Sequence, residues 1–463
     1  MTHYHLIGIG GSGLSAIARV LLERGHKVSG SDLILSPIAE NLRESGVKVI
    51  IGHKAENVMG ADLIIRSSAV PDDNPEVLAG LNAHIPVLKR VDFLKQLTSD
   101  KKVIAVAGTH GKTTTTAMCT WIFDQAGKDP SYIIGGVSKN LVSNAHSGDG
   151  EHFIIEADEY DRMFMGLSPD ILILTTIEHD HPDFFPTESD YYQAFIDFTK
   201  LVKPGGIIFA CSGDPGIGKI LQEIPEKINL LTYGTRESSN YLVSQIQHSA
   251  DCGVSFNLTF SDVGKDIKDI NQIQLLVPGN HNALNSAAAL AVAEFEGIPI
   301  DESVSAIEKY EGTGRRFDIL GSMGGITIID DYAHHPTEIK ATISAARCRY
   351  PDKEIWTVWQ PHTYSRTREL INEFSGSFTQ SDHVIVTEIY PSREKKQDYS
   401  SKEVVRRMDH PDVKMIAELE DVKNHLIEVL QPGAVLLVLS AGDADRISRE
   451  VLEHLQKKGG LAS

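Results

Sequence analysis

The sequence predicts an α/β protein of three domains with mainly parallel sheets. Short apolar runs alternate with helix-like segments along almost the whole chain, which is typical of parallel strands joined by helices. At roughly 100–200 residues per domain, 463 residues correspond to about three domains. Two glycine-rich loops each follow a predicted strand. We therefore place one domain at residues 1–100, a second at 101–312 and a third at 313–463.

Charge and hydropathy exclude several classes of protein. The formal net charge is −19, whereas a general nucleic-acid binder needs basic faces for the phosphate backbone. No apolar run approaches the roughly 20 residues that span a bilayer, and the N-terminus lacks the basic and apolar pattern of a signal peptide. The four cysteines form no CxxC pair. We expect a cytoplasmic protein that neither binds nucleic acid nor inserts into a membrane.

The first domain carries a glycine loop directly after its first predicted strand. Residues 8–13 read Gly-Ile-Gly-Gly-Ser-Gly and lead into a helix-like run. Glycines at this spacing let the backbone turn tightly and approach a diphosphate at the helix N-terminus. Asp32 follows about 20 residues later, where dinucleotide sites keep a ribose-binding acid. The pattern predicts a Rossmann-like domain, and both a dinucleotide-dependent oxidoreductase and a ligand-free turn remain open. Its strands are predicted at 4–9, 27–29, 47–51 and 63–67.

The second domain carries another glycine loop, Gly-Thr-His-Gly-Lys-Thr-Thr at 108–114. In such loops backbone N–H groups cradle phosphates, Lys112 reaches the β- and γ-phosphates and the Thr113 hydroxyl can ligate Mg²⁺. A standard P-loop has glycine five residues before Gly111, where this chain has Val106. We predict a P-loop-type ATPase domain with a shortened loop. Its strands are predicted at 102–107, 153–157, 171–175 and 206–210, with an antiparallel excursion at 240–277 and a helix at 282–295.

Two predicted strands of the second domain end in acidic and histidine residues. One ends in Glu156 and the acids that follow it, and the other ends in Glu-His-Asp-His at 178–181. Ligand groups of α/β proteins gather at such strand ends, so these side chains can complete a metal shell around Thr113. Oxygen ligands suit Mg²⁺, whereas a histidine would fit Mn²⁺ or Zn²⁺ equally well.

The third domain again has polar clusters just after predicted strands, and we expect a second Rossmann-like sheet there. Asp331 and His335 follow one strand, and Arg366 and Arg368 follow the next. Arginines beside phosphates or carboxylates act as bidentate anion clamps, although each one alone is equally well explained by a surface ion pair. The strands are predicted at 326–330, 356–360, 383–387 and 435–439.

Taken together, these motifs resemble those of the Mur ligases from one end of the chain to the other. Residues 108–114 are similar to the shortened ATP loop of that family, which accounts for Val106. The resemblance implies three domains that bind a UDP-sugar, ATP and an amino acid, with the third closing onto the second. The other matching segments are residues 9–15, 156–159, 280–285, 314–318, 331–336 and 360–368.

The resemblance also implies roles for individual residues, with ATP and Mg²⁺ as cofactors. The expected ATP-binding residues are Gly108, Thr109, His110, Gly111, Lys112, Thr113, Thr114, Asn282, Arg316 and Asp331. The expected UDP-sugar-binding residues are Gly10, Gly11, Ser12, Gly13, Asp32, His53 and Ser68. The expected metal ligands are Thr113, Glu156 and His181. The expected amino-acid-binding residues are His335, Arg366 and Arg368, and the expected catalytic residues are Lys112, His335 and Arg366.

The implied activity is that of an ATP-dependent ligase, which activates a carboxylate as an acyl phosphate and then forms an amide. The branch with the most similar motifs joins L-alanine to UDP-N-acetylmuramate in peptidoglycan precursor synthesis, so these two small molecules are the expected partners. Two segments depart from that branch. Tyr160 stands where that branch usually has Ser, and the sequence of residues 178–183 is unusual for that branch.

A Tyr at position 160 is similar to a second branch, which recycles a tripeptide onto UDP-N-acetylmuramate. Residues 360–368 favour L-alanine. Two readings outside the ligases remain alternatives. A dinucleotide-dependent oxidoreductase does not explain residues 111–113, and a nucleotide-sensing module would need no second substrate. The sequence carries no signal for the oligomeric state.

Overall fold

The computed structural model describes residues 1–249, 253–261 and 267–460. These residues form three α/β units, each built on its own sheet. The α/β class with mainly parallel sheets is therefore confirmed. In the described part of the chain, no helix is both long and apolar enough to cross a bilayer.

The first unit is a five-stranded parallel sheet. Its strands are β1 His3–Ile7, β2 Lys27–Asp32, β3 Lys48–Ile51, β4 Leu63–Arg66 and β5 Val87–Lys89. Its helices are α1 Ser12–Glu23, α2 Pro37–Glu44, α3 Pro75–Asn82 and α4 Arg90–Leu97, with a 3₁₀ turn at Ala55–Val58. The strand order is β3-β2-β1-β4-β5, so it reverses between β1 and β4. The first glycine loop opens at this switch point, where α/β sheets bind ligands.

The second unit is a ten-stranded sheet with an antiparallel extension. Its strands are β6 Lys102–Ala107, β7 Ser131–Ser138, β8 Ser143–His146, β9 His152–Glu156, β10 Ile171–Leu174, β11 Ile207–Cys211, β12 Asn229–Gly234, β13 Tyr241–His248, β14 Val254–Ser261 and β15 Ile267–Leu275. Its helices are α5 Lys112–Gln125, α6 Glu188–Thr199, α7 Pro215–Ile220, α8 Asn280–Phe295 and α9 Ile300–Ile307, with 3₁₀ turns at Tyr160–Gly166 and Leu221–Glu223. The order is β15-β14-β13-β12-β11-β10-β6-β9-β7-β8. Because β6 lies between β10 and β9 and runs parallel to both, the ends of these three strands meet at one edge.

The third unit is a six-stranded sheet. Its strands are β16 Asp318–Met323, β17 Ile326–Asp331, β18 Ile355–Trp359, β19 His383–Val386, β20 Val413–Met415 and β21 Val435–Leu439. Its helices are α10 Pro336–Arg349, α11 Tyr364–Glu369, α12 Ile371–Ser375, α13 Lys402–Val405, α14 Leu419–Val429 and α15 Asp445–Gly460. The order is β16-β17-β21-β18-β19-β20, and β16 pairs antiparallel with β17 while the other pairs are parallel.

Helix α8 positions two asparagines beside the second glycine loop. The segment Asn282 to Ala293 is almost wholly buried and rich in alanine. Small side chains let α8 pack closely against α5, because protein interiors are close-packed and larger side chains would hold the two helices apart. As a result, Asn285 contacts the loop so closely that a Cβ on Gly111 would collide with its side chain.

The predicted strands agree with the structure to within three residues, and the antiparallel excursion is confirmed by β13, β14 and β15. Strand β1 ends at Ile7, two residues earlier than predicted, because Gly8 takes a φ of +88° and turns the chain. The sequence analysis missed β5, β7, β8, β12, β16 and β20. Most of these strands are short or carry exposed positions, so they lack the continuous apolar run that marks a buried strand.

Candidate active site

The second glycine loop joins β6 to α5 at the switch point of the central sheet. Gly108 and Gly111 take φ angles of +140° and +82°, which a residue with a Cβ rarely adopts. Helix α5 begins at Lys112 with Gly111 as its N-cap, so its unpaired N–H groups point towards the loop. A helix N-terminus of this kind favours an anion through both its dipole and its free N–H groups.

Lys112 curls back over this loop. Its Nζ donates to Gly108 O at 2.5 Å and to Thr109 O at 3.1 Å, and it lies 2.8 Å from Glu159 Oε2. Burial works to lower the pKa of Lys112, but the charges of Glu159 and Asp158 outweigh it and raise that pKa. Lys112 is therefore a charged amine held against the backbone of the second glycine loop.

Thr113 and Glu156 form the oxygen-rich side of the loop. The Thr113 hydroxyl donates to Glu156 Oε1 at 3.0 Å, and the backbone N–H of Gly135 donates to Oε2 at 2.6 Å. Burial raises the pKa of Glu156, although the charge of Lys112 opposes it. A hydroxyl in contact with a half-buried carboxylate is a pair of oxygen ligands that suits a hard divalent cation. The third predicted metal ligand, His181, has its Nε2 3.4 Å from Glu159 Oε1.

A cavity of about 400 Å³ opens between the second and third units, within the size range of nucleotide-sized ligands. It exposes both polar groups and an apolar wall. Of the residues that the sequence predicts for ATP, it is lined by His110, Gly111, Thr113, Thr114, Asn282, Arg316 and Asp331. The apolar wall includes Tyr233, Leu276, Val277, Leu284 and Ile319. The other predicted ATP residues, Gly108, Thr109 and Lys112, belong to the same loop but are not among the residues that line the cavity. The Thr109 hydroxyl lies 2.8 Å from that of Tyr191 instead.

The cavity's polar groups are fixed by their own hydrogen bonds. Asp331 accepts the backbone N–H groups of Phe317 and Ala333, both at 2.7 Å. Burial raises the pKa of Asp331 to about 6, against the charge of Arg316. Asn282 Nδ2 donates to Pro278 O at 2.7 Å, and its Oδ1 accepts from Asn285 at 3.0 Å. Side chains held in this way are preorganised for a ligand.

His110 connects two carboxylates from different units. Its Nε2 lies 3.1 Å from Glu178, which follows β10, and its Nδ1 lies 3.3 Å from Glu338, which belongs to α10. Burial alone would lower the pKa of His110, but hydrogen bonds with Glu178 and Glu338 raise it to about 9. His110, Glu178 and His335 also place donor atoms within 4.8 Å of one another. Because His110 is protonated, its positive charge balances the negative charge of Glu178 within these three side chains.

The contact that His110 makes with Glu338 of the third unit is expected to weaken as the pH rises through about 9. Because the pKa is raised from 6.5, protonation favours the closed contact fully below pH 6.5 and ceases to favour it above about 9. His110→Gln keeps a polar side chain without the charge. The wild-type rate divided by the His110→Gln rate should fall towards one above pH 9 in a pH–rate profile of kcat/KM. A ratio that stays constant from pH 6 to pH 10 would count against this role.

His335 is the N-cap residue of helix α10. Its Nδ1 accepts the backbone N–H of Thr337 at 3.4 Å, and Glu338 accepts the N–H of His335, which completes a capping box. Burial lowers the pKa of His335, so the ring is neutral. The tautomer that accepts at Nδ1 carries its hydrogen on Nε2. The Nδ1 lone pair of His335, which the sequence predicts as a catalytic and amino-acid-binding residue, is therefore engaged by the helix cap in this structure.

The two predicted arginines of α11 lie in different environments. Arg366 is 1% exposed, its Nε donates to Asp180 Oδ1 at 2.8 Å, and its Nη2 forms an ion pair with the same oxygen at 2.8 Å. Burial would raise the pKa of Asp180, but the charge of Arg366 holds it well below its usual range. Arg368 lies on the exposed side of the same helix, over the ring of Tyr399. Arg368, which the sequence predicts to bind the amino acid, therefore lies on a different face of α11 from Arg366.

The first glycine loop is held by a carboxylate and covered by an arginine. Gly10 N donates to Asp32 Oδ2 at 2.8 Å. A Cβ on Gly13 would collide with the guanidinium of Arg90, which therefore lies across the start of α1. Sequence analysis missed Arg90, because nothing in its own neighbourhood marks it. Gly11 and Ser12 complete the turn into α1.

The other two predicted UDP-sugar residues lie on the same edge of the first sheet. His53 Nδ1 is 3.1 Å from Ser31 Oγ and 3.4 Å from Glu76 Oε2. Ser68 is exposed in the turn after β4. Thus His53 packs into a polar cluster, whereas Ser68 is open to a ligand at the switch point between β1 and β4.

A second cavity, of about 100 Å³, lies between the first and second units. Ser12, Gly13 and Arg90 line it from one side, and Gly135 and Glu156 line it from the other. Glu156 is also the residue that contacts Thr113. The second cavity therefore leads from the first glycine loop towards the candidate metal ligands of the second.

Comparisons with known proteins match all three units of the chain. Three family models match: "Mur ligase family, catalytic domain" at residues 3–102, "Mur ligase middle domain" at 106–293 and "Mur ligase, glutamate ligase domain" at 315–442. A UDP-N-acetylmuramate–L-alanine ligase of Nitratidesulfovibrio vulgaris is 40% identical over 96% of this chain and 97% of its own. One of Syntrophus aciditrophicus is 38% identical over 98% and 94%.

Solved structures show the same three-unit architecture. The UDP-N-acetylmuramate–alanine ligase of Thermotoga maritima has a TM-score of 0.82 at 27% identity, covering 99% of this chain and 100% of its own. A murein peptide ligase of Psychrobacter arcticus has a TM-score of 0.75 at 24% identity over 98% and 99%, a likeness of fold.

Proposed function

This chain belongs to the Mur ligase family, and we propose that it joins L-alanine to the lactyl carboxylate of UDP-N-acetylmuramate with ATP. The substrates are those named for relatives that match it over nearly its full length at about 40% identity. Because ATP and UDP-sugars are cytoplasmic nucleotides, we expect the reaction, a step of peptidoglycan precursor synthesis, to take place in the cytoplasm.

The observation that carries the proposal is that Glu156 connects the two cavities: it lines the second one, and its carboxylate accepts a hydrogen bond from Thr113, which lines the first. A UDP-sugar on the first loop would lie beside Ser12, Gly13 and Arg90, with the second cavity leading to Glu156. Lys112 and Thr113 start α5 on the other side of that carboxylate. A sugar carboxylate that follows this path would come close to the terminal phosphate of ATP, which is what acyl-phosphate formation needs.

The first chemical step transfers a phosphoryl group. The lactyl carboxylate oxygen attacks the γ-phosphorus of ATP, the bond to the bridging oxygen breaks, and ADP leaves. Lys112 neutralises charge on the transferring group, since positioning and charge stabilisation dominate such steps. Thr113 and Glu156 are the residues that would hold Mg²⁺, which supplies further charge neutralisation to the phosphates.

The second step forms the amide. The unprotonated amine of L-alanine attacks the acyl carbon, inorganic phosphate leaves, and the amine's surplus proton passes to solvent or to a nearby base. Arg366 is the residue expected to contact the amino acid, and its pairing with Asp180 ties the third unit to the second. Closure of this kind protects the acyl phosphate from water.

One observation favours a second candidate within the same family. Tyr160 stands where the L-alanine branch usually has Ser, as in the branch that recycles a tripeptide. The full-length relatives at about 40% identity favour L-alanine. The dinucleotide-dependent oxidoreductase is not retained, because all three parts of the chain match ligase models.

An ADP-release assay with UDP-N-acetylmuramate and a panel of amines tests the proposal. The panel should hold L-alanine, glycine, L-serine, D-glutamate and an L-Ala-γ-D-Glu-diaminopimelate tripeptide. We expect release that depends on the UDP-sugar and is fastest with L-alanine. Faster ADP release with the tripeptide than with L-alanine would assign the protein to the recycling branch. Release that needs no UDP-sugar would exclude both assignments.

A further inference from the structure

Arg393 makes a contact between units that the proposed mechanism does not use. It follows β19 in the third unit, and its Nε and Nη2 donate to the two carboxylate oxygens of Asp183 at 2.6 and 2.9 Å. Its guanidinium also lies 3.8 Å from the ring centroid of Tyr160. The Tyr160 hydroxyl donates to Asp183 at 3.2 Å. The three side chains therefore form one group, in which a bidentate ion pair is stacked on an aromatic ring.

This group is coupled to Arg366 through the next residue in the chain. The Glu394 carboxylate accepts the backbone N–H groups of Tyr364 at 2.6 Å and Ser365 at 3.3 Å, at the start of α11. Helix α11 carries Arg366. A movement of the Arg393–Glu394 segment would therefore move the helix from which Arg366 extends.

Arg366 and Arg393 of the third unit both contact residues 180–183 of the second unit. Arg366 pairs with Asp180, and Arg393 pairs with Asp183. His181 lies between them, with its Nδ1 3.4 Å from Nη2 of each arginine. Segment 180–183 is therefore held from two sides by the third unit.

The two ion pairs differ in burial, which suggests different tasks. The side chains of Arg366 and Asp180 are 1% and 5% exposed, whereas those of Arg393 and Asp183 are 32% and 16% exposed. Breaking a fully buried pair leaves an uncompensated charge, but a partly exposed pair is rehydrated when it separates. The outer pair can thus form and break with domain movement more readily than the inner one.

We propose that Arg393, Asp183 and Tyr160 form a latch that holds the third unit closed and positions Arg366 for the amine substrate. Arg393 is a positioning residue for the reaction, because it acts through α11 and Asp183. The latch lowers the KM of the amine substrate and leaves phosphoryl transfer to Lys112. This inference rests on the proposed function, in which an amine enters between the second and third units.

Arg393→Ala should raise the KM for L-alanine by about tenfold, the effect of losing one charge-assisted contact. The KM for UDP-N-acetylmuramate, which is expected on the first unit, should change less than about twofold. The KM for ATP, whose cavity is lined by both the second and the third unit, should rise less than the KM for L-alanine. Arg393→Lys keeps the charge but not the bidentate stacked geometry, so it should restore only part of the effect. Tyr160→Phe should act weakly, because it keeps the ring and loses one hydrogen bond.

A double-mutant cycle makes the test independent of general destabilisation. Asp183→Ala combined with Arg393→Ala should be no worse than either change alone if the pair acts as one unit. Arg406→Ala, which removes an exposed partner of Glu403 in the same unit, is the matched control and should leave all three KM values unchanged. Unfolding temperatures should be measured for every variant.

The outcomes separate the latch from the proposed function. Wild-type turnover on the amine panel decides the function, and the KM comparison then uses whichever amine the wild type prefers. If no amine is turned over, small-angle scattering with an ATP analogue replaces kinetics, and Arg393→Ala should have the larger radius of gyration. Equal changes in all three KM values, additive single effects, or matching radii would overturn the latch.

Discussion

Lys112→Ala is expected to lower ADP release by about 10³-fold or more while UDP-N-acetylmuramate still binds almost as it does to the wild type. Lys112 is the charged amine at the end of the second glycine loop, and its hydrogen-bond and ion-pair partners Gly108, Thr109 and Glu159 all belong to the second unit. Its loss therefore removes charge stabilisation at the transferring phosphate without touching the first glycine loop. Initial rates of ADP release and calorimetric titration with the UDP-sugar measure the two effects.

Two companion variants make this result interpretable. Lys112→Ala leaves the buried carboxylate of Glu159 without its main cation, so Lys112→Ala combined with Glu159→Gln tests whether lost activity is only lost stability. Lys203→Ala removes another lysine of the same unit, paired with Asp170, and should retain full activity. Substantial ligation by the Lys112→Ala variant would mean that the loop does not hold the reacting phosphate.

Arg366→Ala is expected to raise the KM for L-alanine by roughly 100-fold or more. Removing one partner of a buried ion pair costs about 3–5 kcal/mol, because the remaining charge is left unpaired. Here the remaining charge is Asp180, on the other unit, so the closed arrangement should carry most of this cost. Amine-dependent kinetics at saturating ATP and UDP-sugar measure the effect.

Arg366→Ala with Asp180→Asn tests whether the loss comes from closure or from substrate binding. If Arg366 only ties the units together, neutralising Asp180 should recover much of the KM. If Arg366 also binds the amino acid, the KM should stay high. A single Arg366→Ala variant with an unchanged KM would place the amino-acid site elsewhere.

The loops could be predicted from sequence because their chemistry depends on neighbours in the chain. Residues 108–114 form one turn between a strand and a helix, and their spacing alone specifies an anion site. The meeting of Thr113 with Glu156 needed one further rule, that adjacent parallel strands end at the same edge of a sheet.

Contacts between units could not be predicted in this way. Arg366 and Asp180 are 186 residues apart, and no local pattern pairs them. Arg90 likewise covers Gly13 only because α4 packs beside the first loop. The position of Arg368 could have been predicted, because residues two apart on a helix do not share a face. Helix α11 indeed directs Arg368 away from Arg366.

The histidines were the least predictable part of the site. His110, His181 and His335 differ in the partners that surround them, and these partners come from distant segments. His335 is used as a helix cap and His110 as a charged link between carboxylates. Sequence can name a histidine as a candidate, but its protonation state follows from burial and neighbours.

A crystal structure with a non-hydrolysable ATP analogue and Mn²⁺ tests the central claim most directly. We predict triphosphate density against residues 108–113, the γ-phosphate within hydrogen-bond distance of Lys112 Nζ, and an anomalous peak beside Thr113 and Glu156. An analogue bound elsewhere, with no metal at those two side chains, would contradict the account.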